Sequence, residues 1–288
     1  MLCHNNWIEM SWDGLPQRVA KQNIQVDFNT GAKSILPFDR ACDLVAEEIA
    51  DCYKNIYVAL SGGSDSECVA NCLLRNRVPF TPLIIHYNLA KLDDQRYERW
   101  HALHWCKTHN VEPLCIDVDD YVASSAEIKV YAKLKPRLVH GAHTMGFIMD
   151  CMDKYQGHLV TGAQLEYYPD CEQMSYLEPQ LGSYQGFVFE EADFYSEVLR
   201  PNRHPWAFFY WTPEIMASFV SAWDESLTMQ HNKAQIYGTC PRPKYNYPHD
   251  IITDNHKLIR NTLAQQKWGT RDCALLGNKK QLLHKLLT

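Results

Sequence analysis

Apolar positions in the middle of the chain follow two spacings, one typical of amphipathic helices and one typical of buried strands. Residues 38–53 carry apolar side chains at helical spacing, and residues 55–60 form a short apolar run that ends at a pair of glycines. The alternation continues downstream, with helices predicted over 66–76, 93–109, 121–134 and 140–155 and strands over 81–87, 113–118 and 158–162. This alternation predicts an α/β fold with a doubly wound parallel sheet.

The two ends of the chain follow different patterns. Residues 24–28 alternate at period two, which predicts a small N-terminal strand pair as an extension of the main domain. After Gly162 we expect the alternation to stop, and residues 164–211 to fold over the site as a lid or substrate wall. Helices are predicted over 212–224, 253–266 and 279–287, so the C-terminal part is mainly helical. The predicted division is an extension (1–36), an α/β domain (37–165) and a lid with a helical substrate region (166–288).

Composition and charge narrow the class of protein. The formal net charge of −6 argues against a nucleic-acid binder that works by bulk electrostatics. No apolar run is long enough to cross a bilayer and the start of the chain does not resemble a secretory signal, so we expect a cytoplasmic enzyme. None of the 11 cysteines forms a Cys-x-x-Cys pair, which favours reduced, mostly buried thiols over a zinc or iron–sulfur site. Those in apolar-periodic stretches are Cys42, Cys52, Cys106, Cys115 and Cys151.

The strongest candidate for chemistry is the run Ser61-Gly62-Gly63-Ser64-Asp65-Ser66, which lies between a predicted strand and a predicted helix. The glycines allow a tight turn, and the free N–H groups at the start of the following helix suit a phosphate. The serines add hydroxyl donors. Asp65 beside a phosphate favours a Mg²⁺–pyrophosphate ligand, because a cation between two anions removes their repulsion. No lysine follows the second glycine, so this is not the Walker A pattern.

The run from Val58 to Ser66 resembles the signature of the PP-loop ATP pyrophosphatase superfamily. That superfamily includes asparagine synthetase, GMP synthetase, NAD synthetase and tRNA thiolases. Its members split ATP between the α and β phosphates, attach AMP to a substrate oxygen, and let a nitrogen or sulfur nucleophile displace the AMP. The resemblance covers residues 55–166 and implies a HUP or Rossmann-like fold, with ATP and Mg²⁺ as cofactors.

The resemblance also implies roles for the matching residues. Those assigned to nucleotide binding are Ala59, Leu60, Ser61, Gly62, Gly63, Ser64, Asp65, Ser66, His86, Tyr87, Asn88 and Gly162. Asp65 and Ser66 are assigned to catalysis as well, and Asp65 to the metal. Residues 161–166 resemble the Thr-Gly-x-x-x-Asp/Glu segment of the asparagine-synthetase branch, which makes Glu166 the second metal ligand and Asp170 the alternative to it.

A cationic side chain from the C-terminal half is expected to neutralise charge that develops on the phosphates. We assign this catalytic role to Arg203. Its rivals, which the sequence does not rank, are Arg200, Lys233, Lys244 and Arg271.

These observations predict an ATP-dependent synthetase that adenylylates a carboxylate or carbonyl oxygen and transfers it to a nitrogen nucleophile. The likeness around Thr161 favours nitrogen over sulfur. Two alternatives stay open. The first is a sulfur-transfer enzyme of the same superfamily, of the tRNA thiolase or phosphoadenylyl-sulfate reductase type, with Cys240 as its thiol. The second is a non-catalytic nucleotide-binding protein. We expect the substrate to be a small molecule rather than tRNA. We do not expect the protein to bind a membrane, and the sequence leaves open whether it forms a homodimer.

Overall fold

The structure, a computed structural model, describes residues 7–12, 24–86, 98–117, 156–168, 186–189, 205–239 and 274–288. The elements of the first half are β1 (Ile8–Trp12), β2 (Ile24–Phe28), α1 (Phe38–Cys52), β3 (Ile56–Ala59), α2 (Ser64–Arg75), β4 (Thr81–His86), α3 (Glu98–His109) and β5 (Leu114–Asp117). Those of the second half are β6 (His158–Thr161), β7 (Glu166–Tyr168), β8 (Gly186–Phe189), β9 (Pro205–Ala207), a 3₁₀ turn (Phe208–Tyr210), α4 (Pro213–Ala222), α5 (Met229–Tyr237), β10 (Ala274–Gly277) and α6 (Lys279–Leu287).

Within the described residues, a parallel sheet of five strands forms the centre of the fold. Its strand order is β5-β4-β3-β6-β9, so the chain builds outward from β3 on one side and then returns to build outward from β6 on the other. The order therefore reverses between β3 and β6. Ligands of doubly wound sheets bind at the carboxyl ends of the strands beside such a reversal. The predicted α/β class is confirmed, and the glycine-rich loop after β3 lies at this position.

The helices α1 and α2 each bury one apolar face in the core. In α1 the buried side chains fall at helical spacing, as Phe38, Ala41, Cys42, Val45, Ala46 and Ile49. In α2 the buried set includes Ser66, Cys68, Val69, Cys72 and Leu73. The helix α2 begins at Ser64, two residues earlier than the predicted 66–76. The helices predicted over 121–134, 140–155 and 253–266 lie outside the described residues.

The prediction that the alternation stops after Gly162 is wrong from residue 205 onward, whereas residues 169–185 and 190–204, most of the expected lid, lie outside the described residues. The strand β9 pairs in parallel with β6, with Leu159 opposite Pro205 and Thr161 opposite Ala207. The run from Ala207 to Trp211 is buried in the core rather than placed over the site as a lid. A three-residue strand that begins with proline gives little pattern to recognise, and proline is tolerated there because β9 lies at the edge of the sheet that the described residues form. The division of the chain at residues 36 and 165 stays a prediction.

A second, antiparallel sheet of order β10-β8-β7 lies beside the main sheet and brings together three distant parts of the chain. In it, Glu166 pairs with Val188 and Tyr167 with Phe187. Because side chains alternate along a strand, Tyr167 enters the core against Phe187 and Trp223, while its neighbour Glu166 lies on the other face. This strand therefore supplies both a core aromatic ring and a carboxylate for the site.

The N-terminal strand pair predicted from residues 24–28 is confirmed, since β1 and β2 pair in an antiparallel hairpin. The hairpin is tied to the core by Trp7, whose Nε1 lies 3.1 Å from the carbonyl oxygen of Tyr210 and 3.3 Å from that of Trp211. Further along, the amide of Ala32 donates to the carbonyl of Leu286 at 2.6 Å. The extension thus joins the two ends of the described chain to one core.

The cysteine prediction is only partly right. Cys42, Cys68, Cys72 and Cys106 are buried free thiols, but Cys115 is exposed and Cys52 is disulfide-bonded. Burial, with a smaller effect of the neighbouring Cys115, raises the pKa of the Cys106 thiol to about 11. Within the described ranges, no group of three or more His, Cys, Asp or Glu side chains could hold a metal ion. Over the same ranges, no helix combines the length and the apolar character needed to cross a membrane.

The first turn of α4 provides a test of local stability. Thr212 caps this helix by accepting a hydrogen bond from the amide of Ile215 at 3.3 Å, and Pro213 occupies the first helical position. We expect Thr212→Ala to lower the free energy of unfolding by about 1 kcal/mol, because the amide loses its acceptor. Urea denaturation followed by circular dichroism measures this. Thr212→Ser keeps the oxygen and should unfold like the wild type; equal stability of the alanine variant would contradict the role of the cap.

Candidate functional site

The loop after β3 turns sharply and delivers the start of α2 to the carboxyl edge of the sheet. Gly62 has a φ of 95°, a left-handed conformation that favours glycine. Gly63 is the N-cap residue of α2, and among the described residues no side chain caps the first turn of this helix. Those amides, with the positive end of the helix dipole, form a site suited to an anion.

The serine hydroxyls brace this loop internally. The hydroxyl of Ser66 donates to the carbonyl of Gly63 at 3.1 Å, and the oxygens of Ser61 and Ser66 lie 3.1 Å apart. Since the Ser66 proton is used on Gly63, Ser61 is the donor of the second bond. The Ser61 oxygen in turn accepts from the amide of Gly63 at 3.3 Å. Both hydroxyl protons are committed within the loop, so the backbone amides are the donors best placed for a phosphate.

Gly162, the first residue after β6, packs directly against the start of α2. A Cβ added at this position would lie 2.7 Å from the amide nitrogen of Ser66 and 2.8 Å from the carbonyl carbon of Asp65. Real side chains do not approach backbone so closely, so only glycine fits. Its absent side chain lets the strand β6 and the loop after β3 meet at the reversal of strand order.

The centre of the site is a buried ammonium between two carboxylates. Nζ of Lys233 lies 2.9 Å from Oδ2 of Asp65 and 3.2 Å from Oε1 of Glu166. Lys233 is only 7% exposed, and lysine is rarely buried without such partners. The three residues come from the first turn of α2, the strand β7 and the helix α5, so this ion pair connects the two halves of the chain at the site.

The other oxygen of Asp65 is engaged as well. The hydroxyl of Tyr237 lies 2.7 Å from Oδ1, and Nε2 of Gln164 donates to the same oxygen at 2.7 Å. The Tyr237 hydroxyl also contacts Oε1 of Gln164. Tyrosine has one hydroxyl proton, and the charged carboxylate is the stronger acceptor for it. Asp65 is therefore fixed in one orientation by three side chains from two other elements of the fold.

The helix α5 is held in place by its own ends and by one buried amide. Thr228 caps its start, and Gly238 ends it with a φ of 64°. Asn232, which is 1% exposed, accepts from the amide of Asp224 at 2.7 Å and donates to the carbonyl of the same residue at 2.7 Å. These two hydrogen bonds fix α5 to the segment that follows α4. The position of Lys233, the next residue, follows from that anchor.

An aromatic cluster supports the far end of α5. The ring of Tyr237 stacks on Phe209 with centroids 5.8 Å apart, and it also contacts Phe38 and Phe219. These rings come from the 3₁₀ turn, α1 and α4. The hydroxyl of Tyr237 can reach Asp65 because this apolar layer fixes the ring behind it.

The electrostatics keep Lys233 charged and Tyr237 neutral. Burial alone would lower the pKa of Lys233, but the carboxylates of Glu166 and Asp65 raise it above its ordinary value. Because the folded-state pKa is raised, the stability that the charge of Lys233 contributes is present below the ordinary lysine pKa of about 10.4, as long as the carboxylates are ionised, and is lost as the pH rises through the raised value. Burial, with the nearby Asp65 carboxylate, raises the pKa of Tyr237.

The structure brings together part of the predicted site. The loop from Ser61 to Ser66, Gly162 and Glu166 lie around Asp65, and they are joined by Lys233, the one candidate cation that lies within the described residues. His86 ends β4 at the same edge of the sheet. The remaining predicted residues, which lie outside the described ones, are Tyr87, Asn88, Asp170, Arg200, Arg203, Cys240, Lys244 and Arg271. Their roles stay predictions.

Gln164 and Tyr237 are site residues that the sequence did not predict. Gln164 lies within the segment 161–166, whose resemblance points to the acidic residue at its end. Tyr237 lies on α5, a helix that was not predicted. Two signals for this helix were present, namely Thr228 as an N-cap and Gly238 as a C-terminal stop. Between them the chain is weakly amphipathic, since polar and apolar residues alternate without a clear face.

These residues fit the phosphates of ATP and a magnesium ion. The uncapped first turn of α2 supplies amides for phosphate oxygens, and Gly162 adds no side chain that would crowd them. Asp65 and Glu166 supply carboxylate oxygens, and Mg²⁺ takes one or two of these from a protein when phosphates provide further ligands. The backbone amides and carboxylates of the site therefore suit the predicted ligands, ATP and Mg²⁺.

Comparisons with known proteins give structural likenesses only. Neither any protein-family model nor any curated protein matches the chain. Among solved structures, the chain is similar to NMN synthetase from Francisella tularensis, at 19% identity and a TM-score of 0.32. The match covers 43% of this chain and 54% of the synthetase chain. The match thus spans about half the length of that synthetase.

Two other similar structures cover more of the chain. One is the U34-tRNA thiolase NcsA from Methanococcus maripaludis, at 14% identity and a TM-score of 0.41; the match covers 86% of this chain and 78% of the thiolase. The other is the NH3-dependent NAD synthetase from Campylobacter jejuni, at 14% identity and a TM-score of 0.35; the match covers 86% of this chain and 93% of the synthetase. All three belong to the PP-loop ATP pyrophosphatase superfamily that the loop resembles. Their TM-scores are below 0.5, so they carry no argument about function.

The close approach of Gly162 to the loop can be tested by a pair of substitutions. We expect Gly162→Ala to lower the free energy of unfolding by about 1–3 kcal/mol, because the added Cβ forces the loop and β6 apart. Chemical denaturation measures this change. Gly63→Ala is the matched control: its Cβ would meet only the Ser61 oxygen at 3.5 Å, so a loss below about 1 kcal/mol is expected. Equal losses in the two variants would contradict the proposed contact.

Proposed function

We propose that this protein is an ATP-dependent, AMP-forming synthetase. It adenylylates a carboxylate or carbonyl oxygen of a small-molecule substrate and transfers the activated group to a nitrogen nucleophile, releasing AMP and pyrophosphate. The observation that carries the proposal is the convergence of Asp65, Glu166 and Lys233 at the mouth of an uncapped, glycine-rich helix N-terminus. Anion-binding amides, metal-binding carboxylates and a phosphate-binding cation are the groups that splitting ATP to AMP requires.

The chain's own residues divide this work. The amides of the first turn of α2 bind the β and γ phosphates, which become the pyrophosphate leaving group. Asp65 and Glu166 would hold Mg²⁺, which when bound withdraws charge from the phosphates. Lys233 supplies a second cation beside the loop, in the role that the sequence analysis gave to Arg203. Because these groups are fixed by the fold before the substrate arrives, they stabilise developing charge without reorganising.

The reaction balances without a further cofactor. The acceptor oxygen attacks the α phosphorus, the bond to the bridging oxygen breaks, and that electron pair leaves on pyrophosphate. The nitrogen nucleophile then attacks the activated carbon, AMP leaves, and the nitrogen loses a proton to solvent. We assign no general base to this step, since positioning of the two reactants is the main requirement.

The assay that tests the proposal uses ATP labelled at the α phosphate. The protein is incubated with Mg²⁺, labelled ATP, ammonium and a panel of carboxylate substrates, and the products are separated. Label in AMP together with pyrophosphate supports the proposal. Formation of ADP and phosphate would contradict it, and tight ATP binding without turnover on any substrate would favour a nucleotide-binding protein.

The role of Asp65 gives a sharper prediction. We expect Asp65→Asn to reduce AMP formation by about two orders of magnitude or more, because the neutral amide binds a metal poorly and is a weaker partner for Lys233. The initial rate under saturating ATP measures this. Asp39→Asn is the matched control, since Asp39 is an exposed residue in the first turn of α1 and should leave the rate unchanged. A rate near that of the wild type for the Asp65 variant would refute its role.

A further inference from the structure

Two side chains one turn apart on α5 engage both carboxylate oxygens of Asp65. Lys233 lies 2.9 Å from Oδ2 and Tyr237 lies 2.7 Å from Oδ1, where Gln164 also donates at 2.7 Å. The same ammonium lies 3.2 Å from Glu166. The two carboxylates that fit a metal ion therefore already share a resident cation.

A divalent metal and this ammonium compete for the same oxygens. Magnesium binds carboxylate oxygens at about 2.0–2.1 Å, so an ion on Asp65 and Glu166 would lie next to Nζ of Lys233. Like charges at such short range in a partly buried site repel strongly. The ammonium must move away before both carboxylates can take the metal.

A place for the moving ammonium is close by. Asp65 is in the first turn of α2, so the amides that suit a phosphate belong to the same turn as the carboxylate that Lys233 contacts. Lysine has a long flexible stem and a point charge that any phosphate oxygen can accept. An ammonium that passes from Asp65 to a phosphate keeps an anionic partner throughout, which avoids the cost of an unpaired buried charge.

We propose that Lys233 exchanges partners when the nucleotide binds, and that it thereby makes metal binding conditional on phosphate. Its ammonium holds Asp65 and Glu166 together until phosphate oxygens draw it toward the loop, and the freed carboxylates then accept the divalent ion. The inference rests on the proposed function, because it requires a phosphate at the start of α2. Beyond the proposed function, it states that phosphate binds before the metal and that Lys233 imposes this order.

The test measures binding of Mn²⁺ alone, followed by the electron paramagnetic resonance signal of the free ion. In the absence of phosphate, we expect Lys233→Met to bind Mn²⁺ at least about tenfold more tightly than the wild type, because the competing charge is gone. Lys233→Arg keeps the charge and should bind as weakly as the wild type. Tyr237→Phe removes one neutral donor from Asp65 and should change the affinity by less than about fivefold.

A second measurement needs no variant and so does not depend on whether Lys233→Met folds. Thermal unfolding of the wild-type protein is followed with Mn²⁺ alone, with pyrophosphate alone in the presence of a chelator, and with both together. We expect the rise in melting temperature with both ligands to exceed the sum of the two separate rises. A rise with Mn²⁺ alone that equals the rise with both would overturn the proposal.

The outcomes separate this inference from the proposed function. If pyrophosphate stabilises the wild type but Lys233→Met binds Mn²⁺ no more tightly, the partner exchange is wrong and the phosphate site stands. If pyrophosphate and ATP give no stabilisation under any condition, the phosphate site is wrong and the exchange falls with it. Tighter Mn²⁺ binding by the methionine variant alone, together with the cooperative rise in the wild type, supports the exchange.

Discussion

The site depends on one buried charge, the ammonium of Lys233. It joins a carboxylate in the first turn of α2 to a carboxylate of the strand β7, and it does so from the helix α5. Loss of this ammonium would leave two carboxylates without their shared cation, and breaking a buried ion pair in this way costs about 3–5 kcal/mol. Each of these three elements is thus held in its place by a group whose chemistry also suits the ligand. The ion pair of Lys233 therefore stabilises the fold and also positions the groups that are proposed to bind the ligand.

The topology of the sheet explains why these distant residues meet. The reversal of strand order places the ends of β3 and β6 side by side, and Gly162 lets the two backbones approach until they touch. The chain then passes through β7, so that Glu166 emerges on the face opposite the core ring of Tyr167. The helix α5 closes the remaining side, anchored by Asn232 to the chain that leaves α4.

Much of the fold and part of the site could be predicted from the sequence. The helices around Val45 and Val69, the parallel strands and the loop all carry strong local signals, because period and glycine placement are local properties. The strand β9 and the antiparallel strands around Phe187 could not be predicted in the same way, since they are short and are stabilised by partners far away in sequence. Lys233 was one of several candidate cations. Its selection requires knowledge of which helix packs beside Asp65, and that is a tertiary property.

The sequence separation within the site has a consequence for how the protein is made. Asp65 and Lys233 are 168 positions apart, and Tyr237 is 172 positions from the same carboxylate. Chains emerge from the ribosome N-terminal end first, at about 5–20 residues per second, so the loop is exposed for many seconds before its counter-charge exists. The ion pair between Asp65 and Lys233 can therefore form only after α5 has been synthesised, when the part of the chain that contains β3, β4 and β6 already exists.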